Sequence, residues 1–205
     1  MQNLDEIYHQ TIQIYDRHAH AYDQHRSRKF FEKKWLDKFI ASLPPQGRVL
    51  DVGCGAGEPI AKYLLQCGFQ LTGVDASSKM LEISRSRFPT ATWIKMDMRE
   101  LNLETKFDGI IAWDSFFHLK PQEQREVLIL FAKHLSSQGS LLLTVGNEFG
   151  ETTGYVEGEP VYHSSLSPEE YKTILKTIGF KKIEIVLEDE SCDFHSLLLA
   201  RKEGD

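Results

Sequence analysis

Arg48-Val49-Leu50-Asp51-Val52-Gly53-Cys54-Gly55-Ala56-Gly57 is the stretch that decides how this chain folds. Residues 48–52 are a short apolar run, read as a strand, that enters three alternate glycines without an intervening polar loop. Residues 57–66 carry a helical pattern that stops at Gly68, a residue suited to the C′ position. Outward from this unit, residues 47–146 keep alternating apolar runs with helical periods, as βαβ units of a mainly parallel α/β sheet do. Further strands are expected at 69–74, 92–96, 109–113 and 140–145. Helices are expected at 77–88, stopped by Pro89, and at 121–135, where Val127, Leu128, Phe131 and Leu135 share a face.

Residues 147–166 show no period and read as an irregular stretch, rich in glycine and glutamate, that suits a mobile flap. Ser167-Pro168-Glu169-Glu170 then supplies an N-cap, a proline at N1 and acidic first-turn residues, so a helix starts there and ends at Gly179. Two last runs, 182–187 and 194–200, lie close enough to pair as antiparallel strands.

Composition narrows the class. The 205 residues, 41% hydrophobic and 26% charged, suit one compact domain and leave no case for disorder. A net charge of -6 argues against nucleic acid as a partner, because polyanion binding needs clustered cations to displace counterions. The one dense cationic run, Arg26, Arg28, Lys29, Lys33 and Lys34, reads as the solvated face of an N-terminal helix. Cys54, Cys67 and Cys192 lack a C-x-x-C spacing, which suggests reduced thiols and a cytoplasmic setting. Neither a secretory leader nor an apolar window of about 18 residues is present, so no membrane partner is expected. The histidines show no metal-ligand spacing, and no metal is expected.

The glycine trio permits a sharp turn and lets a ligand approach the main chain, although a mere tight turn reads the same way. A dinucleotide fingerprint places its third glycine at position 58, where Glu58 stands, and a carboxylate beside a pyrophosphate is repulsive. A nicotinamide-dependent oxidoreductase is therefore disfavoured. A phosphate-free nucleoside carrying a sulfonium, S-adenosylmethionine, suits an acidic rim better. Asp75, 20 residues beyond Gly55, is placed to accept hydrogen bonds from both ribose hydroxyls, beside a helix-capping role in Asp75-Ala76-Ser77. Asp97 and Met98, after the third strand, offer an acceptor and an apolar edge to the adenine. These positions share the carboxyl edge of the sheet, where such ligands bind.

Asp51 to Gly57, Gly73-Val74-Asp75-Ala76-Ser77, Met96-Asp97-Met98-Arg99-Glu100-Leu101 and the run from Phe107 to Leu119 together resemble a class I S-adenosylmethionine-dependent methyltransferase, of the bacterial group with the compact methyltransferase domain. The resemblance extends over nearly the whole chain. It implies a Rossmann-like, seven-stranded, mainly parallel sheet in the order 3-2-1-4-5-7-6, with the last strand antiparallel and helices on both faces. It also implies a single domain over 1–205, with a helical lid in 1–43 and a substrate-side insertion at 147–166. The cofactor set carried over is Gly53, Cys54, Gly55, Gly57, Asp75, Ala76, Met80, Asp97, Met98, Ala112, Trp113 and His118, with Tyr15, Tyr22 and Arg26 from the lid. An amphipathic helix packing Tyr15, Ala19 and Tyr22 on the sheet is the plainer reading of that last segment.

Methyl transfer from a sulfonium is a displacement that needs alignment more than a fixed catalytic group. The expected acceptor is a small molecule, and the expected product is S-adenosylhomocysteine. Where the acceptor carries a proton, His118 and His163 are the candidate bases, against purely structural roles for both. Asp114 and Glu148 are the candidates to attract a cationic acceptor. A protein that binds the cofactor without catalysis fits the same residues, and the oligomeric state is not readable from them.

Overall fold

The computed structural model describes residues 3–203; Met1 and Gln2, the first residues of the expected lid, and Gly204 and Asp205 lie outside it. Seven helices and nine strands follow one another among the described residues. The N-terminal part holds α1 (Leu4–Arg17), α2 (Ala19–His25) and α3 (Lys33–Ile40). Then come β1 (Arg48–Val52), α4 (Ile60–Gln66), β2 (Gln70–Asp75), α5 (Ser78–Arg87), β3 (Thr92–Lys95), β4 (Phe107–Ala112), α6 (Pro121–His134) and β5 (Leu135–Val145). The chain closes with β6 (Gly150–Val156), β7 (Glu159–Ser165), α7 (Pro168–Thr177), β8 (Phe180–Asp189) and β9 (His195–Lys202).

Seven strands form one sheet in the order β3-β2-β1-β4-β5-β9-β8. β1 runs parallel to β2 and β4, whereas β9 is antiparallel to both β5 and β8. Counted within this sheet alone, that is the expected order with the last strand reversed. Both faces are covered, and the strands alternate between them. Leu50, Ile110 and Leu141 meet Val127, Leu128 and Phe131 of α6 and Tyr171 and Leu175 of α7. Val49, Ile111 and Leu142 meet Trp35, Leu36 and Phe39 of α3 and Ile60, Ala61 and Leu64 of α4. A sheet buried on both sides explains why these strands read as near-continuous apolar runs.

Three expectations change. Residues 147–166 are not irregular: β6 and β7 form a two-stranded antiparallel hairpin. Its turn, Glu157-Gly158, has both φ angles positive, +49° and +82°, the geometry that suits two-residue hairpins. The hairpin packs against α1, with Ile14 meeting Val156 and Val161, and Ile7 and Tyr8 meeting Tyr162. α3 belongs to the sheet core and not to a cover. The cationic run is a helix face only in part: Lys33 and Lys34, both exposed, open α3, whereas Arg26 to Glu32 joins α2 to α3, Arg28 pairs with Glu58 at 2.7 Å and Arg26 contacts the buried Glu32 at 3.3 Å. Among the described residues no helix is long and apolar enough to cross a membrane.

Candidate active site

A cavity opens at the carboxyl edge of the sheet, walled on its other side by α1 and α2. Its floor begins at Gly53, whose φ is +69°. A Cβ there would lie 2.3 Å from the Cβ of Ser115, so only glycine lets the β1 turn pass the turn after β4. Gly55, also at positive φ, donates its N–H to Asp75 Oδ2 at 2.8 Å, while Asp75 Oδ1 accepts the Ser77 N–H at 2.7 Å. Asp75 thus ties two loops together and keeps lone pairs for further donors, because a carboxylate accepts about four hydrogen bonds. Burial pushes its carboxyl up, with the two N–H bonds opposing. The N-cap of α5 is Ser77, whose Oγ accepts the Met80 N–H at 3.1 Å. Ala76 and Met80 complete this side of the wall.

Asp97 and Met98 also line the cavity. Burial acts to raise the Asp97 carboxyl, but Arg99 holds it below the usual range through a bond from Nε at 2.9 Å and a second from the guanidinium. Arg99 in turn meets Tyr8 and Glu123, so α1 is anchored directly over this end of the cavity. The sequence reading missed this clasp, whose one local signal is the Asp97-Met98-Arg99 spacing.

Tyr15, Tyr22 and Arg26 project from the helical cover, and Trp113 and His118 face them from the segment after β4. Tyr15 and Tyr22 meet edge to face at 5.3 Å. His118 Nδ1 stands 2.8 Å from the Tyr162 carbonyl and Nε2 stands 3.0 Å from the Tyr15 hydroxyl. Since a carbonyl only accepts, Nδ1 carries the proton and Nε2 receives the hydroxyl. Burial, and then the neighbouring His163, pushes His118 down to about 4. The ring is neutral, with both nitrogens engaged.

Four expected site residues stand behind the wall. His163 packs on Phe117 at 4.6 Å and His118 at 5.0 Å, in space that a Cβ on Gly154 would invade at 2.4 Å. Gly57 lets α5 approach, since a Cβ there would lie 3.0 Å from the Phe88 ring. Cys54 and Ala112 are buried in the sheet region. Glu58 turns to Arg28 and Lys62, at 2.7 and 2.9 Å, and Glu148 lies in a separate shallow groove with Phe149 and Leu187. The acidic groups on the wall are Asp75, Asp97 and Asp114. Asp51 is the further carboxylate that sequence reasoning left without a role. It is 3% exposed, no described side chain bonds to it, and burial pushes it up to about 7 against the pull of Arg26, with Asp75 adding to the rise.

A doubly covered sheet with a reversed last strand, a glycine turn and a strand-end carboxylate under a helical cover is the architecture of the class I methyltransferases. Residues 49–139 match the family model of the methyltransferase domain. YqeM of Bacillus subtilis (strain 168), a methyltransferase by name, is 34% identical over 149 residues, 66% of this chain and 57% of YqeM. The dTDP-3-amino-3,4,6-trideoxy-alpha-D-glucopyranose N,N-dimethyltransferase of Streptomyces venezuelae is 31% identical over 109 residues, 52% of this chain and 46% of that enzyme. In fold, the chain resembles the 1,6-didemethyltoxoflavin-N1-methyltransferase of Burkholderia thailandensis, solved with S-adenosylhomocysteine, at a TM-score of 0.72 and 19% identity, covering 100% of this chain and 92% of that one. Residues 49–139 carry the methyltransferase domain, and the chain as a whole has the fold of solved S-adenosylmethionine-dependent methyltransferases. It spans about half to two thirds of the length of the curated relatives it matches.

Proposed function

We propose that the protein transfers the methyl group of S-adenosylmethionine to a small-molecule acceptor. The observation that carries this reading is Asp75: a strand-end carboxylate, fixed by the N–H groups of Gly55 and Ser77, that faces the cavity with lone pairs to spare for a ribose diol. The rest of the donor set fits the same ligand. Asp51 is a buried carboxyl without a partner, suited to a nearby cation, and Arg26 on the wall suits a carboxylate. When bound, S-adenosylmethionine supplies a methyl group activated by a positive sulfur.

The chain's own part is alignment and exclusion of water, which can lower a barrier by roughly 7–11 kcal/mol in well-oriented systems. Tyr15, Tyr22 and Trp113 give the methyl end of the cavity a mainly aromatic surround. His118, held at both nitrogens, fixes the Tyr15 hydroxyl there and acts as a positioning group for it. His163 supports His118 from behind. Relatives whose names specify an amino sugar or glycine as acceptor support a small acceptor here, and the net charge of -6 does not suit nucleic acid. The same reading sets the enzyme in the cytoplasm. Calorimetric titration with S-adenosylmethionine and S-adenosylhomocysteine, followed by a methyl-acceptor screen, tests it. Micromolar binding with turnover of a small acceptor supports the proposal. Absence of binding ends it, and binding without turnover on any acceptor leaves a cofactor-binding protein instead.

A further inference from the structure

Beside the cavity, whose wall includes Arg26 and Asp114, a row of alternating charges crosses three separate parts of the chain. His195, on β9, places Nδ1 2.8 Å from the Cys192 carbonyl and Nε2 3.1 Å from Asp114 Oδ1. Both partners only accept, so both ring nitrogens must donate, and the ring is an imidazolium by hydrogen-bond count alone. His118 differs, because one of its partners is a hydroxyl. Asp114 Oδ2 lies 4.0 Å from Arg26 Nη2, and Arg26 Nη2 lies 3.3 Å from Glu32 Oε1. Arg26, Asp114 and His195 each leave only 20–22% of the side chain exposed, so solvent screens these charges little.

Asp114 is itself held under constraint. Its φ is +50°, a left-handed conformation, and its N–H donates to Thr144 Oγ1 at 2.8 Å. The groups facing His195 are the Asp114 carboxylate, the Cys192 carbonyl and Asp193 main chain of its own loop, the Phe31 ring stacked at 5.3 Å and the Trp113 indole at 5.8 Å. Arg26 and Glu32 come next beyond Asp114. Burial acts against the charge on His195, yet Asp114 and the backbone acceptors raise it to about 9.

We propose that His195 is a positioning residue for the cofactor site: its imidazolium shares the Asp114 carboxylate with Arg26 and so leaves the guanidinium donors free to grip a ligand carboxylate. The inference rests on the S-adenosylmethionine reading above. Its physical basis is competition. A carboxylate facing Arg26 alone closes to a two-bond pair and occupies the donors, whereas one already bonded to His195 stands off at 4.0 Å. Arg26 has five N–H groups, and Glu32 engages one nitrogen.

Two ligands separate this role from general structural support. S-adenosylhomocysteine carries the amino-acid end, and 5′-methylthioadenosine lacks it. In calorimetry, His195→Gln, which can keep one hydrogen bond to Asp114 but no charge, is expected to bind S-adenosylhomocysteine roughly tenfold more weakly and 5′-methylthioadenosine within about twofold of wild type. Added to Arg26→Gln, it should cost nothing more. In the ligand-free wild-type protein, nitrogen NMR of His195 should show a doubly protonated ring at pH 7.5 that titrates near 9. A neutral ring at pH 7.5, unchanged affinity for S-adenosylhomocysteine, or equal loss of both ligands overturns the proposal. A wild-type protein that binds neither ligand overturns the underlying cofactor reading, and a folded wild type that binds 5′-methylthioadenosine alone leaves that nucleoside site standing while removing the Arg26 grip.

Discussion

On the S-adenosylmethionine reading, the buried Asp51 should make cofactor binding proton-linked. Burial pushes its carboxyl up to about 7, against Arg26, so in the free protein it is half protonated near neutral pH. An ammonium or sulfonium entering the cavity favours the ionised form, and the complex then holds fewer protons than the free protein. From that linkage, affinity is complete above about pH 8, about halved at pH 7 and about tenfold lower at pH 6. Calorimetry of S-adenosylhomocysteine in buffers of contrasting ionisation enthalpy should register about one proton released at pH 6 and about half a proton at pH 7. The same carboxyl bears on the free protein's stability. A folded value raised above the ordinary 3.8 contributes stability that is present in acid and lost as pH rises through about 7. The loss is at most about 4 kcal/mol. Asp51→Asn keeps the shape and removes the charge, so it should melt higher than wild type at pH 8, bind more weakly and release no proton. A dissociation constant that stays flat from pH 6 to pH 8, with no buffer-dependent heat, refutes the argument.

Other outcomes follow from the same geometry. Asp75→Ala removes a charged acceptor worth roughly 1.5–3 kcal/mol and should weaken S-adenosylhomocysteine binding by about ten- to a hundredfold in calorimetry. Gly53→Ala combines a positive φ with a Cβ 2.3 Å from Ser115, so thermal denaturation should show a loss of more than about 2 kcal/mol. His118→Ala should lower kcat for the identified acceptor by roughly tenfold while leaving S-adenosylhomocysteine affinity nearly unchanged, the pattern of lost positioning; loss of all turnover would assign His118 a direct proton-transfer role. His163→Ala, behind the wall, should leave KM unchanged and reduce stability by about 1–2 kcal/mol, read from urea unfolding.

The sheet was legible because its signals are local. Apolar runs of five or six residues, glycine turns and the Ser167-Pro168 helix start each act over a few positions, and they located β1, β2 and α7 to within a residue or two. Boundaries slipped where a local signal was ambiguous. α4 begins at Ile60, because the glycine turn extends through Pro59, and β5 begins at Leu135, directly after α6. The hairpin was missed for a physical reason. Its inward residues, Val156, Val161 and Tyr162, pack on Ile7, Tyr8 and Ile14 more than a hundred positions away, and in isolation glycine and glutamate interrupt any apolar alternation in the stretch. Glu157-Gly158 between two short polar runs was its one turn signal. Asp75 and Gly53 could be read from the sequence, whereas the charges of Asp51 and His195 could not, because they depend on burial and on partners from distant strands.

The covering elements act as one body, and this bears on how the cavity opens. Thr11 of α1 accepts the Tyr162 N–H at 3.0 Å, and His18 meets Glu159 at 2.6 Å, so α1 and the β6–β7 hairpin are joined along their length. His118 bonds to both, through the Tyr162 carbonyl and the Tyr15 hydroxyl, and it belongs to the segment that follows β4. At the far end Asp16 accepts the Ser77 hydroxyl at 2.7 Å and the Lys79 N–H at 3.1 Å, and Tyr8 reaches Arg99 and Glu123. The cover therefore rests on the rest of the chain at several polar points, at His118, at the start of α5, at Arg99, and through the Asp23–Arg87 and Asp5–Lys120 ion pairs. Each is a small group of hydrogen bonds contributing about 1 kcal/mol apiece, more where both partners are charged, and Tyr15, Ala19 and Tyr22 add an apolar contact to Ala56, Met80 and Ile83 that is smaller than the one joining helix to hairpin. Opening for ligand entry should then break the polar points and keep the helix–hairpin contact intact, so amides of α1 and β7 should exchange together in hydrogen-exchange measurements, ahead of those of β1 and β4.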